Sequence, residues 1–187
     1  SAGKIGSSAQ FTAANSEWLS IADNAALSSG DVDFTLAAWV YLDSTGSLKE
    51  IAAKGSGGAS SFEYGLRYYP SGLLELVIGG ASWSVVSASS FGALSVNTWY
   101  FVVAWYDAAA NTLNISVNNG AVDTISSVGP PNDTAGEFRI GQTGGEFFFD
   151  GRIDSMGFWK RVLTADERTL LYNGGAGLEY PFASVIP

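Results

Sequence analysis

The sequence predicts an all-β fold in which two antiparallel sheets pack as a sandwich, with one short C-terminal helix. The 23 glycines and the 13% aromatic content suit many short strands joined by tight turns. Apolar segments recur at a spacing of roughly 8–12 residues without helices between them, which favours an antiparallel sandwich over a βαβ fold. Because most domains have about 100–200 residues, we expect one domain over residues 1–187.

Alternation of apolar and polar side chains indicates the strands. In Asp33–Asp43, one face carries the alternating residues Phe34, Leu36, Ala38 and Val40, and the residues between them lie on the other face. Trp99–Asp107 is apolar on both faces, so we expect a central strand that is covered on each side. The other predicted strands are Tyr64–Tyr69, Leu73–Ile78, Trp83–Ser87, Thr112–Asn118, Ala121–Ser127, Glu137–Gln142 and Phe148–Lys160.

Local motifs predict one hairpin and one helix. Asn119-Gly120 is typical of a two-residue type I′ turn between two of the predicted strands. Thr164 and Glu167 have the spacing of a capping box at the start of a helix, and Asn173–Gly175 ends that helix. Because the helix is short, we expect it to pack at an edge of the sheets.

Charge and composition exclude several classes of function. The net charge of −9 repels phosphate backbones and anionic lipids, so we expect neither a nucleic acid partner nor membrane insertion, whereas divalent cations and neutral sugars stay open as partners. The chain has no histidine, which excludes a Ser-His-Asp triad and histidine metal sites. It also has no cysteine, which excludes disulfide and thiolate chemistry.

Several segments, in order along the chain, resemble laminin G-like domains of the concanavalin A-like jelly-roll family. The most specific is the closing segment, in which Phe149–Glu167 resembles the family pattern FxGxIDxVxxWxRxLTxxE. The resemblance implies a jelly roll of two antiparallel sheets with about six or seven strands, one of them concave. The other matching segments are Phe34–Val40, Lys54–Gly55, Trp99–Asp107, Val117–Gly120, Ile140–Gly141 and Leu171–Gly175.

Some concanavalin A-like jelly rolls are glycosidases with paired carboxylates at alternating positions on one strand. Retaining hydrolysis needs the two carboxyl groups about 5–5.5 Å apart. Asp31 and Asp33 alternate but precede their strand, and Asp150 and Asp154 would lie roughly 13 Å apart on an extended strand. We therefore predict that the domain is not an enzyme.

Asp154 is the acidic residue that stands out, because the strand around it is otherwise apolar. It could ligate a structural calcium ion with oxygens of Asp23, Asn24 or Asp31, since calcium takes six to eight oxygen ligands. It could instead accept backbone amides and hold a neighbouring loop. Both alternatives stay open at this point.

Exposed aromatic rings are the candidate ligand contacts, because sugar rings stack their apolar faces on flat aromatic surfaces. The candidates are Trp83, Tyr68, Tyr69 and Trp18, and the alternative for each is a place in the core. Tyr68 and Tyr69 are adjacent and so point to opposite faces. The three consecutive aromatics Phe147–Phe149 cannot all face inward on one strand, so we expect one of them at an edge or a contact surface.

These observations favour a non-catalytic recognition module that binds carbohydrate or mediates adhesion. The alternative is a structural or protein-interaction domain displayed on a surface or a virion, as a homo-oligomer or part of a larger assembly. The expected partner is a glycan or a surface protein, and the expected location is extracellular, on a cell surface or on a virion.

Overall fold

Two six-stranded antiparallel sheets form the fold in a computed structural model that describes residues 1–126 and 128–179. In the first sheet the strand order is β1-β12-β3-β8-β9-β10, and in the second sheet it is β2-β11-β4-β5-β6-β7. The first sheet contains β1 (Ala9–Phe11), β3 (Phe34–Leu42), β8 (Trp99–Asp107), β9 (Thr112–Val117), β10 (Val122–Ser126) and β12 (Gly151–Trp159). The second sheet contains β2 (Leu19–Ile21), β4 (Lys49–Gly55), β5 (Phe62–Tyr68), β6 (Leu74–Ile78), β7 (Ser84–Ser87) and β11 (Phe138–Ile140).

Apolar side chains from both inner faces fill the space between the sheets. On β3 the alternating residues from Phe34 to Val40 are buried there, which confirms the predicted face. The second sheet supplies Tyr64, Leu66 and Leu76 among others. The strands β5, β6 and β7, which match three consecutive predicted strands, pair in chain order and form a meander.

A helix, α1 (Ala165–Tyr172), covers the outer face of the first sheet. Its Leu171 packs with Trp39, Phe101 and Trp105, which lie on the face of β3 and β8 that points away from the core. The expectation that α1 packs at an edge is therefore wrong, whereas the expectation that β8 is covered on both sides is confirmed. Among the described residues, no helix is long and apolar enough to cross a membrane.

The turn between β9 and β10 lies one residue earlier than the sequence predicts. Asn118 and Asn119 are the two residues with positive φ, at 52° and 55°, and Gly120 N donates to Val117 O. Asn118 is held in this turn because its side-chain oxygen accepts from Phe101 N at 2.9 Å. The predicted return strand ends at Ser127, which lies outside the described residues.

The last strand of the first sheet begins at Gly151 rather than at Phe148. At Gly151 the chain has a φ of 144°, and a Cβ there would lie 2.0 Å from Tyr41 O, so only glycine fits beside β3. The aromatic residues before Gly151 do not all face inward, as expected, since Phe149 is buried in the core and Phe147 is exposed.

We expect Thr164→Ala to lower the free energy of unfolding by about 1 kcal/mol. The hydroxyl of Thr164 accepts from Glu167 N at 3.2 Å, and Thr164 N donates to the Glu167 carboxylate at 2.7 Å, so the substitution removes one half of the capping box. Urea denaturation measures the change. The control is Thr98→Ala at an exposed site with a single 3.5 Å hydrogen bond, and equal losses in the two variants would contradict the capping role.

Candidate functional site

A groove of about 350 Å³ lies on the outer face of the second sheet, which no helix covers in the described part of the chain. Strands β4 and β5 supply its floor, Trp83 stands on one side, and the turn after β11 stands on the other. The lining residues are Leu48, Glu50, Gly57, Phe62, Arg67, Trp83, Thr143, Gly144, Glu146 and Phe147.

A row of polar residues crosses the floor from strand to strand. The register places Glu50 opposite Arg67, Arg67 opposite Glu75, and Glu75 opposite Ser87. Arg67 Nε donates to Glu75 Oε2 at 2.9 Å, and the terminal nitrogen Nη2 of Arg67 lies 2.8 Å from the same oxygen. Ser87 donates to the other oxygen of Glu75 at 2.9 Å. The Glu75 carboxylate is therefore fully engaged within the protein.

Trp83 forms the first wall of the groove. Its ring packs edge-on against Phe62 with 5.0 Å between the ring centres, and 46% of its surface stays exposed. Phe62 in turn covers Ala53 and Val77, which gives this end of the groove an apolar base. Trp83 thus presents a supported aromatic surface to solvent.

The turn Thr143–Glu146 forms the second wall, together with Phe147. Glu146 N donates to Thr143 O at 2.9 Å, and Glu50 N donates to Phe147 O at 2.8 Å, so the turn is tied to β4. Phe147 has a φ of 57°, which is costly for a bulky side chain, yet its ring is exposed. The backbone hydrogen bond from β4 holds this strained residue at the rim of the groove.

Glu50 is the most perturbed acid of the groove. Its side chain is buried, with 2% exposed, and burial raises the pKa of its carboxyl from 4.5 to about 8. Arg67 lowers this pKa and Glu75 raises it, but both effects are smaller than that of burial. At neutral pH the Glu50 carboxyl is therefore mostly uncharged.

A second buried charged cluster lies near the end of β4 and includes Asp23. The Lys54 ammonium donates to Glu63 at 2.6 Å, to Asp23 at 2.8 Å and to Thr134 O at 2.8 Å. Burial lowers the pKa of Lys54, but the hydrogen bonds and charges of Asp23 and Glu63 outweigh it and the pKa is raised. Glu63 also accepts from Ser29 N at 3.1 Å. The ammonium thus connects three segments of the chain, as a bound cation would.

The structure does not bring the four predicted metal ligands together. Asn24 accepts from Ala26 N at 2.9 Å, and Asp31 accepts from the Tyr106 hydroxyl at 3.2 Å. Asp154 lies on β12 in the first sheet, where it accepts from Ile5 N at 2.8 Å and holds the N-terminal segment. Across residues 1–126 and 128–179, no three acidic side chains converge in a way that could hold a metal ion.

The predicted aromatic contacts lie in different places. Trp83 lines the groove, and Tyr69 is 40% exposed beside the Arg67 guanidinium, 5.3 Å from its ring centre. Tyr68 is buried in the core of the sandwich and offers no surface for stacking, so this candidate contact is wrong. Trp18 is 42% exposed but lines a separate depression with Phe11 and Leu19.

The sequence reasoning missed Glu50 and Arg67. Arg67 belongs to β5, where apolar and other residues alternate, but Glu50 belongs to β4, which lacks a clear alternation and was not among the predicted strands. Charged residues on the outward face of a strand in the middle of a sheet are a signal that could have identified them.

Comparison with known proteins supports the fold and assigns a family. The family model Laminin_G_3, described as concanavalin A-like lectin/glucanases superfamily, matches residues 13–167. A comparison with the curated proteins finds no match.

Three solved structures are among the similar ones. Domain 4 of an extracellular GH43 arabinanase from Geobacillus stearothermophilus, solved with arabinotriose, has a TM-score of 0.71 and 15% identity, covering 95% of this chain and 80% of that one. The binding domain of Paraclostridial Mosquitocidal Protein 1 has a TM-score of 0.73 and 12% identity, and the match covers 94% of this chain and 45% of that one. The CBM40 of the Ruminococcus gnavus IT-sialidase, bound to α2,3-sialyllactose, has a TM-score of 0.62 and 14% identity, and the match covers 81% of this chain and 95% of that one.

At such low identities the solved structures support the shared fold alone. The family match spans most of the chain, includes the segments from β3 to α1, and agrees with the two six-stranded sheets. The chain belongs to the Laminin_G_3 family of the concanavalin A-like lectin/glucanases superfamily.

Proposed function

We propose that this domain is a non-catalytic carbohydrate-binding module and that its glycan lies in the groove on the second sheet. The observation that carries the proposal is Trp83, an exposed ring braced by Phe62 above a floor with Arg67 and Glu50. Ligand sites commonly combine such an apolar wall with a few polar groups that orient the ligand. A module of this kind would act outside the cell or on a surface, where glycan polymers occur.

Two of the similar structures favour this proposal. The arabinanase domain was solved with arabinotriose and the CBM40 with sialyllactose, so sandwiches of this fold hold sugars. The two sugars differ in charge, since arabinotriose is neutral and sialyllactose is acidic. The choice between such ligands in this chain depends on its own groove residues.

Three carboxyl groups, those of Glu50, Glu75 and Glu146, lie in or beside the groove, and the two that the sheet itself carries, Glu50 and Glu75, are poorly placed for hydrolysis. Glu50 and Glu75 lie on strands separated by β5, which places their backbones roughly 10 Å apart. Inverting glycosidases hold their carboxyl groups about 6.5–9.5 Å apart with a water between sugar and base. Here Arg67 occupies the position between them and, with Ser87, engages both oxygens of Glu75. Both oxygens of Glu75 therefore already accept hydrogen bonds within the protein, which disfavours this carboxylate as the base that activates water.

We also propose that the module works without calcium. Asp23, one of the predicted ligands, is paired with the Lys54 ammonium, and a divalent ion there would have to displace a buried positive charge. Glu63 already has donors from Lys54, Ser29 and Thr134. The positive charge that these carboxylates need is thus supplied by the chain itself.

Assembly between copies of this chain is the alternative function. The edge strand β2 exposes Leu19 and Ile21, and no strand of residues 1–126 and 128–179 pairs with its outer edge, where β2 of a second copy could pair. Sedimentation velocity tests this alternative: a dimer that Leu19→Lys dissociates would support it, and a monomer at all concentrations would exclude it.

We expect Trp83→Ala to weaken glycan binding roughly 30-fold, because loss of a tryptophan anchor costs about 2 kcal/mol. Affinity electrophoresis against neutral and acidic polysaccharides, followed by calorimetry with the best binder, measures the loss. Trp18→Ala is the matched control, since that ring is equally exposed but lies outside the groove. Binding that survives in the Trp83 variant, or is lost in the Trp18 variant, would place the site elsewhere.

We expect the melting temperature to be the same in excess EDTA and in millimolar calcium. A structural calcium ion at 100 times its dissociation constant would add about 2.7 kcal/mol of stability, which a melting curve resolves readily. A melting temperature that rises by several degrees with calcium would contradict this proposal, because it would show a metal site besides the cluster around Lys54.

Lys54→Met should lower the free energy of unfolding by about 3–5 kcal/mol, because it leaves the buried Glu63 without its counter-charge. Lys160→Met removes an exposed lysine and is the control. A loss in the Lys54 variant no greater than in the control would show that the cluster does not hold the three segments.

A further inference from the structure

The Glu50 carboxyl carries an unsatisfied hydrogen-bonding atom at the floor of the groove. In residues 1–126 and 128–179, its Oε1 is the only buried side-chain oxygen or nitrogen without a hydrogen-bond partner. Such atoms are rare in folded proteins because each one costs the free energy of desolvation. Because Glu50 lines the groove, a ligand that enters it would bring a hydrogen-bond partner close to this carboxyl.

Gly65 creates the space that Oε1 occupies. A Cβ on Gly65 would lie 2.5 Å from Glu50 Oε1 and 2.7 Å from the Phe62 ring, so any side chain there would displace both. The Glu50 carboxyl oxygen therefore occupies the place that a side chain at residue 65 would take.

The charged groups around Glu50 do not form an ion pair with it. Arg67 on β5 directs its guanidinium to Glu75 on β6, and Glu146 on the far wall is exposed. Burial keeps the pKa of Glu50 at about 8, so at neutral pH its carboxyl is a hydrogen-bond donor without an acceptor.

The same groups set the charge of the groove. With Glu50 uncharged, one positive group, Arg67, stands against two negative ones, Glu75 and Glu146, and the whole chain carries −9. An acidic sugar entering the groove meets a net negative field, whereas a neutral sugar does not.

We propose that protonated Glu50 donates a hydrogen bond to a hydroxyl, ring or glycosidic oxygen of an uncharged sugar unit, which makes the groove selective for neutral glycans. This inference rests on the proposed function and adds the ligand class and the group that recognises it. It also predicts that binding weakens once Glu50 loses its proton. If only the protonated form binds, the dissociation constant rises about tenfold between pH 7 and pH 9.

The test is calorimetry of the wild type and Glu50→Gln at pH 6–9.5, with arabinotriose, α2,3-sialyllactose and the tightest neutral binder from the polysaccharide panel. The glutamine side chain keeps an N–H donor but does not ionise in this pH range. The dissociation constant of the variant for a neutral glycan should therefore stay constant within twofold from pH 6 to 9.5. The wild type should weaken about tenfold between pH 7 and pH 9 and bind sialyllactose less well than neutral sugars. Glu137→Gln, at an exposed site outside the groove, should keep the wild-type pH response.

Each contrary result has a distinct meaning. A glycan that binds with a flat wild-type profile, or that loses affinity with pH equally in Glu50→Gln, overturns the role of Glu50 and leaves the proposed function standing. Binding of acidic glycans alone overturns the selectivity. No binding of any glycan overturns the proposed function and this inference with it.

A measurement without ligand checks the state of Glu50 separately. Because its folded pKa of about 8 lies above the ordinary 4.5, the folded state holds more protons between these values, and the free energy of unfolding falls as pH rises through this window. Glu50→Gln should lack this fall. If that variant fails to fold, the wild-type binding profile alone decides, and a flat profile contradicts the proposal.

Discussion

Burial of both faces of the first sheet determines which surface of this domain can meet a ligand. The inner face packs against the second sheet, and the outer face, with Trp39, Phe101 and Trp105, packs under α1. An apolar patch of that size could not stay in water without a partner, so the capped helix is part of the sandwich. Within the described residues no helix covers the second sheet, and its outer face holds the groove.

Lys54 and Glu50 are both buried on β4, but only Lys54 has its hydrogen-bonding groups satisfied. Lys54 has an oxygen for each of its three protons, so its burial holds the chain together. Glu50 has an atom with no partner and stays uncharged. An unsatisfied group of this kind reduces stability, and such groups are found mostly at functional sites. Lys54 thus supports the fold, whereas Glu50 is the residue that we propose to serve recognition.

Features that depend on neighbouring residues could be predicted from the sequence. The alternation from Phe34 to Val40, the apolar strand Trp99–Asp107 and the capping box at Thr164 each follow from residues within one element. The ordered motifs then identified the family. The prediction that α1 packs at a sheet edge was wrong, because the position of the helix depends on which sheet face is apolar after the strands have paired.

The groove itself could not be predicted, because it depends on register between distant strands. Glu50, Arg67 and Glu75 become neighbours only when β4, β5 and β6 pair, and the ion pairs of Lys54 depend on loops that meet at the end of β4. Of the four aromatic candidates only Trp83 lines this groove, and exposure of an aromatic residue in a short strand depends on packing that the sequence pattern leaves undetermined.

The six tryptophans of the chain provide the most direct test of where a ligand binds. Each indole N–H gives its own signal in a ¹H–¹⁵N NMR spectrum, and Trp18 serves as an exposed ring outside the groove. During titration with a neutral glycan that binds, we expect the Trp83 signal to shift with the binding isotherm while the Trp18 signal stays in place. A shift of Trp18 with no change at Trp83 would contradict a binding site on the second sheet.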